Sequence, residues 1–526
     1  MESMAIKVIL LIVFFSTMVG IGLYCRRHAT DVNGFVLGGR SVGPWLTAFA
    51  YGTSYFSAVV FVGYAGQFGW KYGIAATWAG IGNAVLGSLL AWAVLGRRTR
   101  IMSQHLDSAT MPEFFGARFG SKSLKLAASA IIFVFLIPYT ASLYNGLSRL
   151  FGMAFDIDYT VCVIVMAVLT GVYVIAGGYM ATAINDFIQG IIMIFGICAV
   201  ISAVLNSQGG FLAALNGLAQ VPAESGAGPI AAPGVFASFF GPDPINLLGV
   251  VILTSLGTWG LPQMVQKFYA IKSESAINKG MIISTVFALI VAGGCYFLGG
   301  FGRLFADQMQ FNPDGSIAGG FDSVIPTMLS GLPDLLIAIV VILVLSASMS
   351  TLSSLVLASS STLTLDFLKD NLIRDMDEKR QVRIMQGLIV VFIAISVVLA
   401  IIQYKSSVTF IAQLMGVSWG ALAGAFLAPF LYGLYWKKTT KIACWASFLF
   451  STVVMVANIF VRASFPALLQ SPINAGAFCM LAGLVIVPVV SLFTPQTDKA
   501  LVDNAFSCYD KKVTVRQSEA LGDQVD

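Results

Sequence analysis

One stretch of the chain concentrates small hydroxyl side chains: Ser346-Ala347-Ser348-Met349-Ser350-Thr351-Leu352-Ser353-Ser354. On a helix, Ala347, Ser350 and Thr351 stand at i, i+3 and i+4 and share one face. One carbonyl and two hydroxyls converge there. Neutral oxygens of this kind suit a hard cation such as Na+, which takes several oxygen ligands, so the patch needs partners from elsewhere in the chain. The competing reading is close packing of small residues, with each hydroxyl bonding back to the preceding turn. Two other stretches mix polar residues with helix breakers. The first is Thr47-Ala-Phe-Ala-Tyr51-Gly52-Thr53-Ser54-Tyr55-Phe56-Ser57. The second is Thr254-Ser-Leu-Gly257-Thr258-Trp259-Gly260-Leu-Pro262-Gln263. The proline and glycines of the second weaken a helix and release carbonyls.

These stretches lie in a chain that has little surface for water. Of 526 residues, 57% are hydrophobic and only 10% are charged, against about 25% charged in soluble domains. The composition specifies an integral membrane protein with the lipid bilayer as its surroundings. It excludes a soluble enzyme, a nucleic-acid binder and a secreted disulfide scaffold. The seven cysteines occur singly with no CxxC pair, and there are two histidines. Neither a disulfide framework nor a transition-metal site follows from them.

A spanning helix needs about 20 mostly apolar residues. Thirteen such runs are predicted between residues 5 and 493, the first of them a spanning helix and not a signal peptide. An odd number places the termini on opposite sides. With the N-terminus outside and the C-terminus cytoplasmic, the inner loops, among them 97–125, 369–383 and 437–441, hold 24 of the 30 Lys and Arg residues, as the positive-inside rule demands. Lys267 counts among the inner residues, and no cation is expected at mid-membrane. Thr110–Phe119 reads as an interfacial helix capped by Thr110, with phenylalanines toward lipid. The span middles lack Asp, Glu, Lys and Arg, so a proton relay has no titrating group. Charged rings or filter loops of a channel are not visible, nor are the acid and histidine clusters of an intramembrane enzyme. The two interrupted spans lie five spans apart, the signature of an inverted repeat with a site between the broken helices. The repeats would cover about 43–206 and 246–436 within one domain, 1–495, followed by a loosely ordered cytoplasmic tail, 496–526.

Several motifs together resemble the sodium:solute symporter family. They are Phe35-Val-Leu-Gly-Gly-Arg40-Ser, Ala176-Gly-Gly-Tyr-Met-Ala181, Asn185-Asp186-Phe-Ile-Gln189-Gly, Gly260-Leu-Pro262-Gln263 and Ser348-Met-Ser350-Thr351. Their order and spacing cover roughly residues 5–495. The resemblance implies an all-α integral membrane protein with the leucine-transporter-like inverted repeat of five helices, in thirteen transmembrane helices, acting as a Na+-coupled importer in the cell membrane. It implies a Na+ site formed by the carbonyls of Thr53, Phe56 and Ala347 and the hydroxyls of Ser350 and Thr351. Some members hold a second Na+, for which Asp186, Ser350, Ser353 and Ser354 are the matching groups; the alternative is that Asp186 caps a helix. Ser57, Tyr139, Trp259, Gln263 and Gln413 are candidates for the solute pocket. The segments Ser54-Tyr55-Phe56-Ser57-Ala58 and Asp322-Ser-Val-Ile-Pro-Thr327 look most like pantothenate carriers. Tyr55 stands where proline carriers have Asp, and Val60 where a sugar carrier has Gln. The expected solute is a small organic carboxylate or pantothenate-like compound, with a proline-like amino acid as the alternative. Oligomeric state is left open.

Overall fold

The computed structural model describes residues 2–155, 158–223, 228–369, 376–406 and 411–510. Residues 511–526, the end of the expected tail, lie outside the described residues. Among those described, ten helices are long and apolar enough to cross a membrane, and an eleventh is formed by the bent pair Pro244–Gly260 and Pro262–Ala270.

Two of the helical runs are far longer than one crossing requires. Tyr159–Ser207 has 49 residues, about 70 Å of helix against a hydrocarbon core of about 30 Å. It breaks at Gly178, whose φ of 54° and ψ of −147° are open only to glycine. A Cβ there would also meet the Phe35 carbonyl oxygen at 2.8 Å. The run Val59–His105 has 47 residues and turns at Gly73, where φ is 63°. A Cβ at that position would lie 2.1 Å from the Phe236 carbonyl oxygen.

Helix Ile411–Tyr435 is the most enclosed, with 94% of its apolar window buried, followed by Asp334–Leu368 at 78%. Tyr159–Ser207 lies at the periphery and leaves Val161, Val165, Val168 and Val172 exposed. Their spacing forms one apolar stripe, suited to lipid. Helices come together through small residues, as membrane packing requires. At the tightest contact, a Cβ on Gly69 would stand 1.9 Å from the Gly299 carbonyl oxygen.

Two expectations are revised. Helix Met111–Phe119 is capped as read, with the Thr110 hydroxyl accepting from the Glu113 amide at 3.2 Å. Its phenylalanines do not face lipid, however. Phe114, Phe115 and Phe119 are buried, and the first two pack at tilted or edge-on angles against Phe430, Phe426 and Phe448. Buried Arg118 fastens the same helix through its Nε to the Gly433 carbonyl at 2.9 Å. The tail is not loose over its first part. Helix Lys499–Ser507 buries Val502, Ala505 and Phe506, and the Phe506 ring lies 4.9 Å from the Arg118 guanidinium.

Candidate cation and solute site

Helix Pro44–Tyr55 stops at Phe56, which takes extended angles, φ −85° and ψ 119°. Ser57 restarts the chain as helix by accepting from the Val59 amide at 3.2 Å. The Val60 amide then donates to the Ser57 carbonyl at 3.0 Å, so the Phe56 carbonyl loses its usual helical donor. A second break occurs at Leu261, between Pro244–Gly260 and Pro262–Ala270. Its angles, φ −82° and ψ 125°, nearly repeat those of Phe56. The chain bends there by 46°.

The face of helix Asp334–Thr362 that carries Ser350 and Thr351 lies against the first break. Ser350 Oγ donates to the Thr53 carbonyl at 2.8 Å. Thr351 Oγ1 lies 3.1 Å from each of three carbonyl oxygens, those of Thr53, Phe56 and Ala347. All five residues are fully buried. A threonine hydroxyl has one proton and can satisfy one of those three carbonyls. Five oxygens therefore share two hydroxyl protons in a place without water-facing surface. Such an excess of oxygen lone pairs suits a small hard cation. All five residues predicted as sodium ligands are thus brought to one point.

One turn further along the same helix the arrangement differs from the expectation. Asp186 lies eight residues past the break at Gly178, within Tyr159–Ser207, and not at a helix start. That mid-helix position does not suit the capping alternative, and the side chain is fully buried. Ser350 is committed to Thr53, and Ser353 Oγ donates to the Ser350 carbonyl at 2.8 Å. Ser354 Oγ lies 2.9 Å from Ser54 Oγ. Facing Asp186 is Lys267, which the loop count had placed outside the membrane interior. Its side chain is 1% exposed. Its Nζ lies 3.9 Å from Asp186 Oδ2, donates to Ser354 Oγ at 3.1 Å, and stands 5.0 Å from the centre of the Tyr179 ring. A buried carboxylate requires such a partner. The bend at Leu261 redirects Pro262–Ala270 and delivers this lysine.

The solute candidates divide. Ser57, Tyr139 and Gln263 are fully buried. Among the described residues, the Tyr139 hydroxyl and both polar atoms of the Gln263 amide have no hydrogen-bond partner. Tyr139 packs edge-on against Trp419, centroids 5.9 Å apart, and Trp419 Nε1 is equally without a partner among the described residues. Trp419 also fills the space beside Gly257, where a Cβ would lie 2.5 Å from its ring. Sequence reading missed Trp419, which sits in a mostly apolar helix with no distinguishing spacing. Trp259 is turned elsewhere and donates from Nε1 to the Leu86 carbonyl at 2.8 Å. Gln413 accepts from Arg462 at 3.4 Å, about 9 Å of helix away from Trp419. A cavity of about 1040 Å³, lined by Gln67, Lys71, Arg149, Arg303 and Asp322 among others, opens on the face carrying those cations.

The model of the sodium:solute symporter family matches residues 35–449. The chain belongs to the sodium:solute symporter family. A protein of Staphylococcus aureus (strain JH9) named sodium/proline symporter is 29% identical, the match covering 86% of this chain and 85% of that protein. The same figures hold for the protein of that name from strain NCTC 8325. A solved structure of a Na+-coupled sialic acid symporter, substrate-bound and outward-open, superposes with a TM-score of 0.73 at 16% identity. It covers 94% of this chain and 98% of the other. The symporter is therefore a multi-pass membrane transporter, and Na+ is the coupling ion its family implies.

Proposed function

We propose that the chain imports a small organic carboxylate across the cell membrane, driven by Na+ held between the first broken helix, at Thr53 and Phe56, and helix Asp334–Thr362. The observation that carries this reading is the cluster of three carbonyls around the single hydroxyl proton of Thr351. Thr53, Phe56, Ala347, Ser350 and Thr351 are the Na+ ligands in this proposal. The matching angles at Phe56 and Leu261 support a five-helix inverted repeat over about 43–206 and 246–436. Splitting the long runs at Gly73 and Gly178 supports thirteen spans in a domain ending near 495. The distribution of Lys and Arg supports an outer N-terminus and a cytoplasmic C-terminus.

The carboxylate of the solute meets the start of helix Pro262–Ala270, where the positive helix end favours an anion. The Gln263 amide supplies donors there. Its body lies along Tyr139 and Trp419. Two solutes fit this description. The short matches at 54–58 and 322–327 favour a pantothenate-like acid. The curated relatives named sodium/proline symporter favour proline, and each bears a carboxylate. Uptake into proteoliposomes against a solute panel, with and without an inward Na+ gradient, tests the proposal. Na+-dependent accumulation of one of these acids is expected. Accumulation that follows a proton gradient in Na+-free buffer refutes it.

A further inference from the structure

The place where a second Na+ would bind does not fit a free ion in this chain. A second cation site needs Asp186 facing open hydroxyls. Here a cation of the chain itself already stands in that place, the Lys267 ammonium against Asp186 and Ser354 Oγ, and the serine hydroxyls are turned to other partners. Ser350 Oγ is turned to the first site, Ser353 Oγ to a backbone carbonyl, and Ser354 Oγ to Ser54 and to the Lys267 ammonium. Asp186 has one cationic partner among the described residues, Lys267, and neither of its oxygens accepts a hydrogen bond there.

We propose that the Lys267 ammonium is itself the second cation of this transporter, a tethered charge held between Asp186 and Ser354, so that each cycle loads one Na+ instead of two. The inference rests on the Na+-coupled reading above. The chemistry of the two cations is alike. Both are monovalent, and both answer a buried carboxylate and hydroxyl oxygens. The ammonium is covalently present, so it competes with any free ion at a very high effective concentration. A free Na+ added beside it would put two like charges on one carboxylate. The ammonium is also linked to the first site. Ser354 touches Ser54, and the next residue back, Thr53, gives its carbonyl to Ser350 and Thr351. The ammonium therefore stands one helical turn from the first site and is joined to it through Ser354, Ser54 and Thr53.

Equilibrium binding of radioactive Na+ to the purified full-length protein in nanodiscs tests the proposal, together with the Na+ Hill coefficient of uptake. The wild type should bind one Na+ per chain with a Hill coefficient near one. Lys267→Met keeps the length of the side chain and removes its charge, which frees Asp186 and Ser354 for an ion. It should bind two Na+ per chain, with a Hill coefficient rising toward two. The double variant Asp186→Asn with Lys267→Met should return to one. Two ions on the wild type would overturn the proposal. So would a single ion on a Lys267→Met protein that is monodisperse and melts like the wild type in saturating Na+. Where that variant is not recovered folded, the wild-type count decides alone. No Na+ on the wild type would instead defeat the proposed function itself.

Discussion

Replacing Thr351 by Ala removes one oxygen from a cluster in which no formal charge compensates for its loss. Thr351 Oγ1 is within 3.1 Å of three carbonyls, whereas Ser350 Oγ reaches one, that of Thr53. A contact between a polar group and a charge contributes about 1.5–3 kcal/mol. At about 1.4 kcal/mol per factor of ten, the loss amounts to roughly a 10- to 150-fold weaker apparent Na+ affinity. Thr351→Ala should sit toward the upper end of that range and Ser350→Ala toward the lower. Without Na+ the Thr351→Ala protein is also less stable by about 1–3 kcal/mol, because buried carbonyls lose their donor. Thr351→Ser keeps the hydroxyl and should stay within a few-fold of the wild type. The assay is solute uptake as a function of Na+, paired with solute affinity at saturating Na+. The second quantity should hardly move. If solute affinity falls in step with Na+ affinity in a folded variant, the hydroxyl serves packing and the ion-site reasoning fails.

Three further outcomes follow from the same structure. With one Na+ per cycle, zwitterionic proline enters with one net positive charge and its uptake is electrogenic, whereas an anionic pantothenate-like acid enters electroneutrally; currents in a planar bilayer or the response of uptake to an imposed potential separate the two. For the zwitterion, about 2.3 kcal/mol from −100 mV and about 1.4 from a tenfold Na+ gradient would sustain roughly a 500-fold solute gradient. Tyr139→Phe keeps the ring against Trp419 and removes a buried hydroxyl that has no partner among the described residues. Its thermal stability should be unchanged or slightly higher, and its solute affinity about 2- to 10-fold weaker if that hydroxyl bonds the solute; unchanged affinity would remove Tyr139 from the pocket. Gly69→Ala drives a methyl into the Gly299 carbonyl, and backbone cannot yield as a side-chain tip does. A loss of at least about 1–3 kcal/mol is expected, read as a lower melting temperature or poor recovery in detergent.

Hydroxyl spacing was the part of the site most legible in sequence. Ala347, Ser350 and Thr351 fall on one face by helical periodicity alone, and the structure presents that face to Thr53 and Phe56. The second break was equally plain, since Pro262 and Gly260 flank the extended residue. At the first break neither glycine nor proline stands at Phe56. Only the polar run before it, with Gly52 one turn earlier, hinted at an interruption. Apolar pattern was a poor guide to which face of a helix meets protein. Lipid tails are as apolar as Leu, so Phe114 and Phe115 read the same whether they meet acyl chains or Phe430 and Phe448.

Lys267 shows why charge counting has the same blind spot. It lies at the end of an apolar run, where basic residues normally mark the inner loop, and the count improves when it is placed there. Counting residues along a straight helix cannot detect a bend. The 46° change of direction at Leu261 places residue 267 against Asp186, on an element 81 residues earlier in the chain. Without a cation there, a buried Asp186 carboxylate would cost several kcal/mol. The broken helix thus has two consequences at once. In the proposed reading it turns the start of Pro262–Ala270, with the Gln263 side chain, toward the solute, and it carries Lys267 to Asp186 beside the proposed Na+ ligands. Changes at Gly260 or Pro262 should therefore disturb solute binding and ion stoichiometry together, whereas changes confined to Gln263 should reach the solute alone.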